Sequence, residues 1–324
     1  MKKTKKIRRD LYQEITDTVI ASLEQGNIPW ERPWGADGAG LRDAPRSVST
    51  GKTYSGTNWF WLEMMRQAKG YSSQWWLTFN QAKKLGGMVK KGERGTVAVF
   101  WKLLSKDEID PATGEKAVSS FPVLRSFVVF NVDQCDMPAE ALAKLGNRLD
   151  KLAPVIDAGD VTEIEPIAIA DAALMGFIAD QKIGFANGGD QAYYSPSDDR
   201  VQMPPVQSFK DSESYYATLA HEAVHSTGHK SRLARAFEKQ AAFGSADYSR
   251  EELVAELGAS MVLAVLGIDK PAIATNRDAY IQSWIKKLQS DPKAIVLASG
   301  KAAKAADYIL DIDAAGDQAP KATV

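Results

Sequence analysis

Leu11, Ile15, Val19, Ile20 and Leu23 recur at three- and four-residue spacing, which predicts an amphipathic helix over 10–25 that stops at Gly26, before the turn-rich stretch IPWERPWGADGAG. Further helices are expected over 58–68 and 78–85, the second opened by Thr78 and stopped by Gly86-Gly87. Residues 96–103 and 120–132 are rich in Val, Phe and Trp, and they read as two strands of a hairpin across Asp110, Pro111 and Gly114. An Ala-rich acidic stretch follows, punctuated by Pro138, Pro154 and Pro166, and a helix is expected over 168–181. Short strands over 182–186, 191–195 and 200–203, joined at Gly188-Gly189 and 196–199, predict a small antiparallel sheet. Helical periodicity then returns over 212–227, 250–267, 277–288 and 292–310. The expected class is α+β in two domains. Residues 1–135 form a mixed α/β domain, 136–166 a linker or peripheral helices, 167–311 a mainly helical domain with the small sheet, and 312–324 a flexible tail.

The chain has 324 residues, enough for two cores, and one cysteine, Cys135, so neither an internal disulfide nor a cysteine-based zinc site is expected. No run of apolar residues is long enough to span a bilayer, and the polar-apolar mixture after MKKTKKIRR does not read as a signal peptide. A cytoplasmic protein without a membrane segment is the expectation. The net charge of -1 hides a split: residues 1–102 carry 18 Lys and Arg against 9 Asp and Glu, and the remainder is acidic. Seven of the eight tryptophans lie in the basic part, so any binding of a polyanion belongs there.

All three histidines lie within HEAVHSTGH at 221–229. His221 and His225 are four apart on one helical face, where both imidazoles reach one zinc ion at about 2.0 to 2.1 Å. Glu222 sits off that stripe, where it can act as general base toward a metal-activated water. A third ligand must come from elsewhere. In REELVAELGA at 250–259, Glu252 is the preferred ligand, with Glu256 placed behind to hold an imidazole by hydrogen bond; Glu256, Glu251 and His229 remain alternatives as the ligand. Tyr194, Tyr215, Tyr248, Arg277 and Tyr280 are possible oxyanion donors, and the strand at 192–194 is a possible edge for an extended peptide.

In the basic part, aromatic residues alternate with cations, a combination that suits unpaired bases and their phosphates. Lys52, Tyr54, Asn58, Trp59, Trp75, Trp76, Lys90, Lys91 and Arg94 are the candidate DNA contacts. Adjacent Trp75 and Trp76 point in different directions, so part of the set must pack in the core. No phosphate loop, dinucleotide fingerprint or zinc finger occurs.

Read together, YSGTN at 54–58, WLTFNQAKKLGG at 76–87, VKKGERG at 89–95, AYYSPSDDRVQMP at 192–204, HEAVHSTGH and REELVAELGA give the chain a wider likeness. Over about residues 7–311 it resembles the ArdC-type antirestriction proteins of conjugative plasmids. The resemblance implies an N-terminal single-stranded DNA-binding domain, similar to one in plasmid TraC-type primases, and a C-terminal zincin-like metallopeptidase domain. It implies one Zn2+ held by His221, His225 and Glu252, with Glu222 catalytic. It also implies action in the cytoplasm of the recipient cell during plasmid transfer, protecting incoming DNA, with a DNA-associated host protein as a candidate peptidase substrate. The alternative is a non-enzymatic DNA-protecting protein with a structural zinc. A metallonuclease fits less well, since phosphodiester cleavage favours carboxylate-rich two-metal sites.

Overall fold

Asp10 opens the first helix by accepting hydrogen bonds from the backbone N–H groups of Tyr12 and Gln13, so α1 (Leu11–Glu24) begins where its first orphan donors are met. The computed structural model describes residues 10–31, 44–109, 116–150, 166–235, 246–268 and 277–312. Two compact units result, and the division does not follow chain order: described residues 10–31 belong with 166–312, while 45–150 form the other unit.

In the 45–150 unit, β1 (Arg46–Ser47), α2 (Gly56–Ala68), β2 (Trp75–Leu77), α3 (Phe79–Lys84), β3 (Met88–Val89), β4 (Thr96–Ile109), β5 (Lys116–Asn131), β6 (Cys135–Asp136) and α4 (Ala139–Asp150) succeed one another. The main sheet has the order β1-β2-β5-β4, and β3 pairs with β6 separately. Along α2, Asn58 accepts from the backbone N–H of Val99 at 2.7 Å and donates to its carbonyl, while the Trp61 indole donates to Val97 O at 2.8 Å. The helix thereby satisfies the edge strand β4 along its first turns. Trp75, Leu77, Ala82, Val132 and Leu145 form one buried core with Val48 and Cys135. Thr78 and Gln81 form a reciprocal capping box at α3. Most of β4 and β5 lies outside this core: their pairing runs from Thr96 opposite Val129 out to Ile109 opposite Lys116, whereas β2 reaches only Phe130 and Asn131.

The other unit follows α1 with α5 (Pro166–Asp180), β7 (Gly184–Asn187), β8 (Tyr193–Ser195), β9 (Arg200–Met203), α6 (Ser212–Thr227), α7 (Ala246–Val265), α8 (Arg277–Ser290) and α9 (Ala294–Ile309). Its sheet is mixed, not antiparallel as expected. β9 lies in the middle, antiparallel to β8 but parallel to β7. The five residues between β7 and β8, with Gly188 at φ 149 and Gly189 at φ 72, carry the chain past the place β9 will take, and a direct hairpin does not form. α1 packs on α8 and α9, burying Ile15, Val19 and Leu23, and Thr16 donates to Pro292 O at 2.8 Å. The segment after it is tied in as well: Trp30 donates to the Tyr280 hydroxyl and Glu31 pairs with Arg277. An apolar helix stripe buries itself wherever a matching face exists, and for α1 that face is not in the unit that follows it in sequence. No helix among the described residues is long and apolar enough to cross a membrane.

The expected tail lies outside the described residues apart from Ile312, as do 151–165 of the expected linker and Trp34.

Candidate metal centre

Asp211 caps α6 by accepting from the Ser214 backbone N–H at 2.8 Å, and Gly228 ends it four turns later. One side of α6, with Leu219, Ala220, Ala223 and Val224, is buried against its neighbours. α7 lies across it, and their approach depends on Gly258: a Cβ there would meet both methyls of Val224 at 2.9 Å. That closeness brings Glu252, on α7, to His221 and His225.

The three ligand groups converge. The two Nε2 atoms are 3.1 Å apart, Glu252 Oε2 is 3.6 Å from His221 Nε2, and Glu252 Oε1 is 3.5 Å from His225 Nε2. Ligands of a tetrahedral zinc at about 2.1 Å would stand about 3.4 Å from one another, so two imidazoles and a carboxylate here match the donor set and spacing of one divalent ion. All three side chains keep some exposure, which leaves a side open to water or substrate.

The carboxylate behind the ligands is a correction to the sequence reading. At His225 Nδ1 stands Glu251, at 3.7 Å. Arg235 holds it, donating to Glu251 Oε1 at 2.8 Å, to Thr227 Oγ1 at 2.6 Å and to Val224 O at 2.7 Å. Glu256, one turn beyond Glu252, is instead hydrogen-bonded to Tyr280. The reason is rotation about α7: Glu251 is 100° from Glu252, which is close enough to meet the outer nitrogen of an imidazole whose inner nitrogen faces Glu252. Arg235 carried no sequence signal, because its partner Glu251 lies 16 residues further on, on α7.

Charge follows the geometry. Burial pulls the His225 imidazole toward neutrality, but Glu251, Glu252 and Glu222 outweigh it and hold its pKa up at about 10. For Glu252, burial pushes upward, and the two imidazoles outweigh it to hold the carboxyl well below the usual carboxylate range. A site that attracts a proton this strongly is a site with a deficit of positive charge, and a cation would satisfy it. Glu222, buried on α6 between the two histidines in sequence, is near enough to contribute to that field.

His229 is not part of this set. Its Nδ1 lies 2.7 Å from Ser231 Oγ and 3.8 Å from Asp199 Oδ2. Asp199 also accepts from the Tyr194 hydroxyl and pairs with Arg232, whose Nε donates to Ser226 O, so this cluster ties the edge strand β8 to the end of α6. Burial and the Asp199 carboxylate raise the Tyr194 pKa far above a phenol's ordinary value. Among the other expected oxyanion donors, Tyr215 packs its ring on Phe209 and Tyr216, and Arg277 and Tyr280 are engaged with the segment after α1. The Tyr248 side chain lies outside the described residues.

The expected DNA contacts divide by burial. Trp76 is 0 % exposed, Trp75, Trp59 and Tyr54 are also buried, and Asn58 is consumed by Val99, so these side chains present no face to a base. Lys52, Lys90, Lys91 and Arg94 are exposed, with Lys90 donating to Asp133 O at 2.9 Å. The structure does not gather the nine into one surface patch. The aromatic exposure they were meant to supply is found on β4 and β5, where Trp101 is 48 % and Phe121 44 % exposed.

A pair of histidines four apart, a converging glutamate from the next helix and a small sheet beside them define a zincin-like metallopeptidase domain, and the family model described as zincin-like metallopeptidase matches residues 172–301. Residues 9–130 match the N-terminal domain of anti-restriction factor ArdC. The chain belongs to the family of ArdC-type antirestriction proteins. It is 36 % identical over 307 residues to the protein y4eC of Sinorhizobium fredii, covering 93 % of this chain and 91 % of that one. A DNA primase TraC of Escherichia coli is 32 % identical over 94 % of this chain, which spans 27 % of the primase. The crystal structure of the antirestriction ArdC protein from R388 plasmid in its Mn(II)-bound form has a TM-score of 0.68 at 35 % identity, with 96 % of this chain and 100 % of that one covered. Its metal-free form has a TM-score of 0.66 at 36 % identity, covering 94 % and 98 %.

Proposed function

We propose that this antirestriction protein joins a zinc-dependent peptidase to a sequence-independent single-stranded DNA-binding unit and protects incoming plasmid DNA in the cytoplasm of the recipient cell. The convergence of His221, His225 and Glu252 within ligand distance of one another carries the peptidase reading. A bound zinc ion would supply Lewis acidity, lowering the pKa of water and polarising a peptide carbonyl. Glu222 takes the proton of the attacking water and returns it to the leaving amine. Glu252 and the two imidazoles hold the ion, Glu251 fixes the orientation of His225, and the edge strand β8 beside α6 offers backbone groups to an extended peptide. Mn(II) in the related crystal structure supports a divalent ion here, and the nitrogen-rich donor set favours zinc. The exposed cations Lys52, Lys90, Lys91 and Arg94 hold phosphates without reading bases. A protein bound to the same DNA is the substrate class that this pairing of units suits.

The test is metal analysis of purified wild type, His221→Ala and Glu252→Gln, together with N-terminal mass spectrometry of nucleoprotein from recipient cells incubated with wild type and Glu222→Gln. One zinc ion per chain, lost in the first two variants, and new N-termini absent with Glu222→Gln are expected. Equal cleavage by wild type and Glu222→Gln overturns the peptidase reading.

A further inference from the structure

Past Val99 the ribbon of β4 and β5 leaves the core, and its register sorts the side chains onto two unlike faces. On one face Phe100, Lys102 and Leu104 stand opposite Arg125, Val123 and Phe121, and Phe127 lies diagonal to Phe100 with ring centroids 5.9 Å apart. The other face carries Trp101, Leu124, Ser126 and Val128, with no cation among the described side chains. Lys102 and Arg125 are exposed and pair with no carboxylate among the described residues. No Asp or Glu occurs on either strand from Thr96 to Leu104 or from Phe121 to Asn131, and between residues 44 and 104 ten Lys and Arg face two Asp and Glu.

Rings and cations on one face, with no carboxylate on either strand over 96–104 and 121–131, select a polyanion that offers flat apolar surfaces. A duplex does not, since its bases are stacked on each other; a single strand does. The exposed turn that carries Lys90, Lys91 and Arg94 leads directly into β4, so a strand held by that turn has the ribbon as its continuation. We propose that the ribbon face bearing Phe100, Phe121, Phe127, Lys102 and Arg125 is a stacking surface for single-stranded nucleic acid. This rests on the DNA-binding reading above and moves the stacking role from the buried tryptophans to these phenylalanines. Charge decides against the Trp101 face, although Trp101 is the more exposed ring.

The test is fluorescence anisotropy of the full chain with an oligothymidylate of about 16 nucleotides, near the upper end of single-strand site sizes, and with a duplex of equal length. Phe121→Ala is expected to weaken single-strand binding roughly 5- to 100-fold, since one stacked base is lost. Lys102→Gln with Arg125→Gln should flatten the logarithmic salt slope by about 1.4, two phosphate contacts on a single strand. Trp101→Ala should leave both unchanged. Phe121 is half exposed, so its truncation should leave the thermal midpoint within about a degree or two of wild type. Wild type that binds no single strand defeats the DNA-binding reading itself. Wild type that binds while the ribbon variants match it defeats only the ribbon assignment, as does a loss caused by Trp101→Ala instead. An altered oligomeric state in Phe121→Ala with DNA binding intact would make the face a protein contact and also overturn the proposal.

Discussion

Glu222 and Glu251 flank the same pair of histidines, and isosteric substitution separates the two roles proposed for them, proton acceptor and support of His225. Glu222→Gln keeps size and helix propensity while removing a proton acceptor, so peptide cleavage should fall by about 10²- to 10⁴-fold with zinc content unchanged. Loss of zinc on that substitution would place Glu222 among the ligands. Glu251→Gln should act on the metal instead: with the carboxylate at His225 Nδ1 neutralised, zinc affinity measured by competition with a chelator should drop by about 10- to 100-fold. Glu256→Gln should do less, because its carboxylate serves Tyr280. An equal effect of the two would mean that Glu251 does not orient the ligand.

Between α6 and α7 the decisive position is Gly258, where a side chain would meet Val224. Gly258→Val overpacks that crossing, and a loss of about 1–3 kcal/mol, read from denaturant unfolding, should accompany weaker zinc binding as Glu252 is pushed away from the imidazoles. An unchanged midpoint with unchanged zinc affinity would show that the helices do not meet as described. On α9, burial raises the Asp307 carboxyl to about 6. Its folded pKa lies above the unfolded value near 3.9, so the unfolded chain loses this proton first as pH rises. The penalty is absent below about pH 4 and complete above about pH 6. Asp307→Asn should therefore stabilise the protein at pH 8, on the order of 1 kcal/mol after allowing for partial contact with water, and make no difference at pH 4. A gain of equal size at both pH values would refute the assignment.

For the whole molecule, the consequence of the exchange made by α1 is that the N-terminal family match does not coincide with a structural unit. Residues 9–130 match the ArdC N-terminal domain, yet α1 and Trp30 are buried against α8, α9 and Tyr280. Trp30→Ala should cost about 3–5 kcal/mol of the stability of the metal-bearing unit, seen as an earlier transition in thermal unfolding followed by zinc release. The transition of the 45–150 unit should stay in place. If the latter moves and the former does not, the N-terminal segment belongs to the 45–150 unit after all.

Much of this was legible from spacing. The helices at 11–24, 212–227 and 294–309 follow from apolar periodicity and length, and His221, Glu222 and His225 follow from the geometry of one helix, because positions four apart must share a face whatever surrounds them. Pairings between distant segments were not legible in the same way. Whether Glu251 or Glu256 stands behind an imidazole depends on the rotation of α7 against α6, which Gly258 and Val224 set across 34 residues of chain. Whether a tryptophan stacks on a base or fills a core depends on which segments cover it: Trp75 packs in one cluster with Val48, Phe130 and Leu145, and Trp76 pairs within the sheet with Ser47 and Asn131, all distant in sequence. Local spacing is a property of a few consecutive dihedral angles and can be read from the residues. Burial, the parallel pairing of β7 with β9 and the allegiance of α1 are settled by competition among surfaces for the same apolar contacts, and only the folded chain holds that competition's outcome.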